Sequence, residues 1–133
     1  MEDPADAYFG CSDSERAAFE AGIKLGSIYH QFMGTPLSQQ NVDVLERAIE
    51  EGVKVQPFVE DVRVRIDRRY LKRKRSPYKY VSLTGNMLQV ELRVRYGDAV
   101  ALCEMRFVED LRYPLMYVKE IRWVGAETAS RHV

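Results

Sequence analysis

Apolar side chains recur at helical spacing near the start of the chain, and this pattern predicts a helix over residues 15–33. Ser12 or Asp13 can cap its start, and the Gly34-Thr35-Pro36 sequence ends it. Because the helix is apolar around nearly its whole circumference, we expect one side to be buried in the domain and the other against another subunit. The pattern consists of Phe19, Ile23, Gly26 and Met33, with Ala18, Ala21, Leu25, Ile28 and Phe32 between them.

A second helix is predicted over residues 39–51, opened by Ser38 and ended by Gly52. Its apolar positions step by three and four, as in a surface helix with one buried stripe. The charged residues between them predict a solvated face, which comprises Asp43, Glu46, Arg47, Glu50 and Glu51.

After the second helix the period changes from helical to alternating, which predicts β-strands. Tyr96-Gly97-Asp98 is typical of the tight turn of a hairpin. The predicted strands cover residues 59–66, 88–96, 99–108 and 111–124, with a weaker one over 78–83. The pattern therefore predicts an α+β fold, with two N-terminal helices packed on a mainly antiparallel sheet of four to five strands.

Length and composition fit a single domain over residues 1–133, since 46 % hydrophobic content in 133 residues is enough for a packed core. We expect residues 1–12 to be a loosely held tail. No apolar run approaches the roughly 20 residues of a membrane span, and no signal peptide is recognisable, so we expect a cytoplasmic protein. Cys11 and Cys103 lack any ligand spacing and are interpreted as free thiols.

The formal net charge is zero, but the charges are unevenly distributed. Residues 1–61 carry 12 acidic residues against four basic ones, whereas residues 62–80 carry nine basic residues against one acidic one. The basic block has two interpretations, a nucleic-acid contact or a solvated loop that pairs with the acidic half of another subunit. The opposite charges of the two segments favour the second. The block contains Arg63, Arg65, Arg68, Arg69, Lys72, Arg73, Lys74, Arg75 and Lys79, interleaved with Tyr70, Tyr78 and Tyr80.

Two polar residues of the first helix are candidates for chemistry. At about 100° per residue, Glu20 and His30 fall within an arc of roughly 80° on one side of the rod. Glu20 can simply pair with Lys24, with His30 a satisfied core or interface histidine. Alternatively, both belong to a site in a crevice. No second interior histidine, lysine motif or glycine-rich loop accompanies them, so an enzyme would have to work through positioned acid–base groups, without a metal or cofactor.

Several segments together resemble the archaeal-type dihydroneopterin aldolase family, over nearly the whole chain from Ser14 to about Trp123. The densest match is YHQFMGTP, residues 29–36, and the others are residues 19–26, Gln56-Pro57 and Tyr113-Pro114-Leu115-Met116-Tyr117. The resemblance implies a lyase that makes the pterin precursor of methanopterin and folate-like cofactors, without a metal, as a homotetramer. It implies no cofactor and no membrane partner.

The resemblance also implies roles for individual residues. Glu20 would bind the pterin through two hydrogen bonds, from the ring amide N–H and the exocyclic amine. His30 would act as the base, directly or through a water held with Gln56. Tyr117 would return the proton, and Tyr113 lies on the same strand face, as a substrate contact or an alternative donor. Without the resemblance, both tyrosines can equally be sheet-packing residues.

Two other functions stay open at this point. One is a module that binds a pterin or similar heterocycle without turnover, which conversion of the bound pterin would exclude. The other is a nucleic-acid-associated protein that uses residues 63–79, for which affinity should fall steeply with salt and ignore a change at Glu20.

Overall fold

The computed structural model describes residues 3–72 and 78–124, and it has the predicted α+β architecture. A four-stranded antiparallel sheet has the order β2-β4-β5-β6, and a separate two-stranded ladder pairs β1 with β3. The helices are α1 (Asp13–Phe32) and α2 (Val42–Lys54). The strands are β1 (Pro36–Leu37), β2 (Val59–Ile66), β3 (Val81–Ser82), β4 (Leu88–Tyr96), β5 (Ala99–Val108) and β6 (Tyr113–Trp123). Short 3₁₀ turns cover Asp6–Tyr8 and Arg68–Leu71.

The ends of α1 follow from local chemistry. Ser12 and Glu15 form a reciprocal capping box, in which each side chain accepts from the other's backbone N–H. The Ser12 N–H bond lowers the pKa of Glu15. At the other end Gly34 adopts φ 88°, and its N–H donates to the Leu83 carbonyl at 2.8 Å. This bond joins the end of α1 to the β1–β3 ladder.

The predicted solvated face of α2 is wrong at two positions. Glu50 accepts the Val64 N–H at 2.8 Å, and Glu46 accepts the Ile66 N–H at 2.7 Å. Because β2 is an edge strand, these amides have no neighbouring strand to bond, and the two half-buried carboxylates satisfy them instead. The helix also begins three residues later than predicted.

Both helices pack on one face of the large sheet, α1 over β4, β5 and β6 and α2 over β2. The core between them contains Ala17, Ala21, Leu25 and Ile28 of α1, with Val90, Val94, Ala101 and Met105 of the sheet. The opposite side of α1 remains uncovered in one chain, where Phe19 is 56 % and Ile23 48 % exposed. Within the described residues, no helix is both long and apolar enough to span a membrane.

The structure also describes the two cysteines, the weak strand and part of the N-terminal segment. Both cysteines are free; Cys11 is exposed, and burial raises the pKa of Cys103 to about 11. The weak strand over residues 78–83 is reduced to the two residues of β3. Residues 3–9, part of the segment expected to be a loose tail, contact α1 and the β4–β5 hairpin, as described below.

Gly97 in the β4–β5 turn should not tolerate a side chain. It has φ 58°, and an added Cβ would lie 2.3 Å from Oδ2 of Asp13, at the start of α1. We expect Gly97→Ala to lower the free energy of unfolding by about 1–2 kcal/mol. Gly52→Ala is the matched control. Gly52 lies inside α2 with open space around it, so this substitution should raise the free energy of unfolding by about 0.5–1 kcal/mol. Urea unfolding of both variants tests these two expectations. A change of the same sign in both free energies of unfolding would contradict them.

Candidate active site

Glu20 is held by two buried cations of its own helix. Arg16 Nε donates to Glu20 Oε2 at 2.9 Å, and Lys24 Nζ donates to Glu20 Oε1 at 3.2 Å. Arg16 and Lys24 are each only 4 % exposed, whereas Glu20 is partly accessible. The predicted Glu20–Lys24 pair is therefore confirmed. Both carboxylate oxygens are fixed in direction, which a solvated i,i+4 pair would not achieve.

Arg16 is the site residue that the sequence reasoning missed. It lies four residues before Glu20, as Lys24 lies four residues after it, so the spacing could have indicated it. Burial lowers the pKa of Arg16, but the hydrogen-bonding carboxylates of Glu20 and Asp3 more than offset this, and the pKa is raised overall. The guanidinium thus stays charged.

His30 lies at the far end of α1 from Glu20. Ten residues separate them, which corresponds to about 15 Å along the axis, and the His30 side chain is exposed. The adjacent Tyr29 packs against the core. Its ring and Pro114 of β6 both lie beside Gly85, since a Cβ on that glycine would lie 3.1 Å from the Tyr29 ring and 3.0 Å from Pro114. The C-terminal end of α1 therefore lies beside the start of β6, and one chain does not bring His30 to Glu20.

Gln56 lies in a constrained loop after α2. Its N–H donates to the Val53 carbonyl at 3.0 Å, and two residues later Phe58 adopts φ 71°, which is unusual for a bulky residue. The Phe58 carbonyl accepts the Arg95 N–H at 2.8 Å, and its ring packs edge-on against Tyr96. The Phe58 ring lies 5.4 Å from the guanidinium carbon of Arg16. Gln56 is therefore at the Glu20 end of α1, away from His30.

Tyr117 lies on the sheet face opposite the helices. Its strand neighbour Met116 packs against the core, so Tyr117 points the other way. The Tyr117 hydroxyl donates to Glu104 and accepts from Arg106 Nε at 3.0 Å. Glu104 also accepts from Lys119 Nζ at 3.2 Å. The hydrogen bond from Tyr117 lowers the pKa of Glu104. Burial opposes this shift, and the hydrogen bond from Lys119 adds to it.

Tyr113 shares this outer face with Tyr117, because no bulge interrupts β6 between them. It pairs with Val108 and is 58 % exposed. Neither tyrosine packs between sheet and helices. In a single chain, both are thus separated from Glu20 by the thickness of the sheet.

Part of the basic block is neutralised within the chain. Arg68 forms ion pairs with Asp43 and Glu46 of α2, and Arg69 pairs with Asp67. For Arg68, the acidic partner expected from another subunit is thus supplied by the same chain. Arg63, Arg65 and Arg106 line an open groove of about 950 Å³ at this end of the sheet. Arg73, Lys74 and Arg75 lie outside the described residues.

Across residues 3–72 and 78–124, no three histidine, cysteine, aspartate or glutamate side chains converge in a way that could hold a metal ion.

Comparisons with known proteins place this geometry in context. A family model described as dihydroneopterin aldolase matches residues 12–119. A dihydroneopterin aldolase of Picrophilus torridus is 45 % identical over 121 residues, covering 91 % of this chain and 99 % of the relative. One from Methanopyrus kandleri is 44 % identical over 114 residues, covering 85 % and 93 %. A crystal structure of a Picrophilus torridus protein superposes with a TM-score of 0.81 at 45 % identity, covering 90 % of this chain and 98 % of that one.

Proposed function

The chain belongs to the dihydroneopterin aldolase family, and we propose that it cleaves 7,8-dihydroneopterin into 6-hydroxymethyl-7,8-dihydropterin and glycolaldehyde. The observation that carries this proposal is the 44–45 % identity, over most of the chain, to relatives named for the activity. The enzyme is a lyase that acts on a small pterin. We place it in the cytoplasm, in the synthesis of methanopterin or folate-type pterins.

The reaction is a retro-aldol cleavage. A base removes the proton of the second side-chain hydroxyl, the carbon–carbon bond between the first and second side-chain carbons breaks, and glycolaldehyde leaves. The electron pair moves into the conjugated C=N bond of the ring, and a proton is then added to the first side-chain carbon. Because the substrate itself accepts the electrons, the reaction requires neither an imine-forming lysine nor a metal.

Glu20 is proposed to anchor the pterin. An ionised carboxylate has about four acceptor positions, and Arg16 and Lys24 each occupy one. The remaining positions can accept the ring amide N–H and the exocyclic amine as a charge-assisted pair. The two buried cations support this role, since they fix the orientation of the carboxylate before the substrate arrives.

His30 is proposed to be the base, supplied by a neighbouring subunit of a homotetramer. Three features support this arrangement: the 15 Å or so between Glu20 and His30 along α1, the exposure of His30, and the uncovered Phe19 and Ile23 on the same helix. Contact between this exposed apolar face of α1 and a second chain would place His30 in a site closed to solvent. Gln56 lies at the Glu20 end of α1 and His30 at the other end, so a water held by both side chains likewise requires two chains.

Tyr117 is proposed to donate the proton to carbon. Its hydroxyl oxygen is held between Glu104 and Arg106, and the one hydroxyl proton, which is donated to Glu104 in the free enzyme, has to turn toward the carbon of the bound substrate. Because it lies on the face opposite α1, it also has to come from a different chain than the Glu20 it serves. Tyr113, exposed on the same face, is proposed as a contact to the substrate.

Tyr117→Phe should lower kcat by about 10²-fold with little change in KM, because it removes the proton donor but keeps the ring. Tyr113→Phe is the matched variant on the same face and should raise KM a few-fold while kcat stays near the wild-type value. Steady-state kinetics of both variants test the assignment. A loss of kcat in Tyr113→Phe alone would reverse the two roles.

Cleavage itself is tested with chelator-treated protein and dihydroneopterin, by measuring glycolaldehyde and 6-hydroxymethyl-dihydropterin. Equal amounts of the two products, unaffected by chelation, are expected. Binding without products would leave a heterocycle-binding module. Salt-dependent binding of nucleic acid, with no pterin turnover and no effect of a Glu20 change, would support the nucleic-acid alternative.

A further inference from the structure

Arg16 connects three parts of the chain that are distant in sequence. Besides Glu20, it contacts Asp3 from the N-terminal segment and the rings of Phe9 and Tyr96. Tyr96 ends β4 at the hairpin turn. A guanidinium that is 4 % exposed and surrounded in this way has little freedom to change its direction.

Two aromatic rings lie closest to the guanidinium, nearer than that of Phe58. Its carbon lies 3.6 Å from the centroid of the Phe9 ring and 4.6 Å from that of Tyr96. Phe9 in turn packs edge-on against Phe19 of α1, with ring centroids 6.0 Å apart. These cation–π contacts favour one plane for the guanidinium, and its Nε donates to Glu20 from that plane.

Asp3 balances the charge of Arg16 from the other side. Oδ2 of Asp3 lies 2.9 Å from Nη1 of Arg16, although Nη1 has no well-aligned hydrogen-bond acceptor among the described residues. The Tyr96 hydroxyl lies 2.7 Å from Asp6 Oδ1 and 3.1 Å from Asp3 Oδ2. The N-terminal segment, residues 3–9, is thereby attached to both the hairpin and Arg16.

Lys24 cannot replace this arrangement. Its ammonium is a point charge that compensates Glu20 at the other oxygen, but it imposes no plane. Both cations hold the carboxylate, but only the planar guanidinium favours one plane for it, and residues 3–9 hold that guanidinium.

We propose that Arg16 is a positioning residue for substrate binding, which aligns the Glu20 carboxylate with the pterin and is itself held by the N-terminal segment. This inference rests on the proposed role of Glu20 as the pterin anchor. It gives residues 3–9 a part in substrate binding that acts through Arg16.

Arg16→Lys and Asp3→Asn test the inference, because both keep the side-chain size similar while they remove the planar donor or the countercharge. We expect KM for dihydroneopterin to rise about tenfold in Arg16→Lys and a few-fold in Asp3→Asn, with kcat within about twofold of wild type. Glu15→Gln is the matched control: it removes a carboxylate charge from the first turn of the same helix, where that carboxylate accepts the Ser12 N–H, so it should lower stability slightly and leave KM unchanged.

A double-mutant cycle with Glu20→Gln shows whether Arg16 acts through Glu20. If it does, Arg16→Lys should raise KM no further once Glu20 has been changed. An unchanged KM in folded Arg16→Lys, or a full additional rise of KM in the double variant, would overturn the inference while Glu20 keeps its role. If wild type cleaves the substrate but Glu20→Gln leaves KM unchanged, the anchor role itself is wrong and the inference falls with it.

Discussion

Glu20→Gln should lower kcat/KM for dihydroneopterin by about 10³-fold, mostly through KM. Two hydrogen bonds to a charged acceptor contribute about 1.5–3 kcal/mol each, and an amide can accept one of them but must present its NH₂ group to the other donor. In the variant, one substrate N–H therefore faces the side-chain NH₂ group of the glutamine, and two donors cannot form a hydrogen bond. Steady-state kinetics and equilibrium binding of the product pterin measure the loss, and a KM within twofold of wild type would contradict the anchor role.

The same substitution should also destabilise the fold, so the control matters. Without the carboxylate, Arg16 and Lys24 are buried cations that have lost their shared anion, and breaking such a cluster costs about 3 kcal/mol. Adding Lys24→Met to Glu20→Gln removes the cation whose ion pair with Glu20 is lost, whereas Arg16 keeps its ion pair with Asp3. The double variant should recover stability and keep the high KM, which separates binding from folding.

The fold was predictable where the pattern was long. Strands β2, β4 and β5 have the bounds that alternation predicts, because a nine-residue alternation allows only one register for a half-buried sheet. The β1–β3 ladder has two residues per strand and leaves no periodic signal. Likewise, no pattern reveals that Glu46 and Glu50 accept edge amides of β2, since charge at a helix position does not say what lies next to it.

The candidate site was predictable only in part, for a similar reason. Helical spacing indicated the Glu20–Lys24 pair and could have indicated Arg16, but the burial and direction of Arg16 depend on Asp3, Phe9 and Tyr96, and the contacts within this group span up to 93 positions in sequence. The strand alternation correctly placed Tyr113 and Tyr117 on one face. It could not indicate that this face lies opposite α1, because that depends on which side of the sheet the helices cover.

His30→Gln should lower kcat by about 10²–10³-fold and leave KM nearly unchanged, because it removes the base but not the ring contacts. The His30 side chain is exposed and is not one of the α1 side chains that pack in the core, so the variant should keep the stability of the wild type. Unchanged kcat in a folded His30→Gln protein would remove His30 from the mechanism. It would also leave His30 with only a structural or interface role.

The separation of Glu20 and His30 allows a sharper test, in which the impaired Glu20→Gln and His30→Gln proteins are mixed, dissociated and reassembled, and turnover is measured at a substrate concentration well below the KM of Glu20→Gln. If one site takes Glu20 from one chain and His30 from another, random assembly should restore about a quarter of the wild-type sites. If both residues came from the same chain, every site would keep one defect and no activity would return. Regained turnover would therefore establish a shared site, and its absence in a verified hybrid oligomer would require the α1 geometry to change on binding substrate.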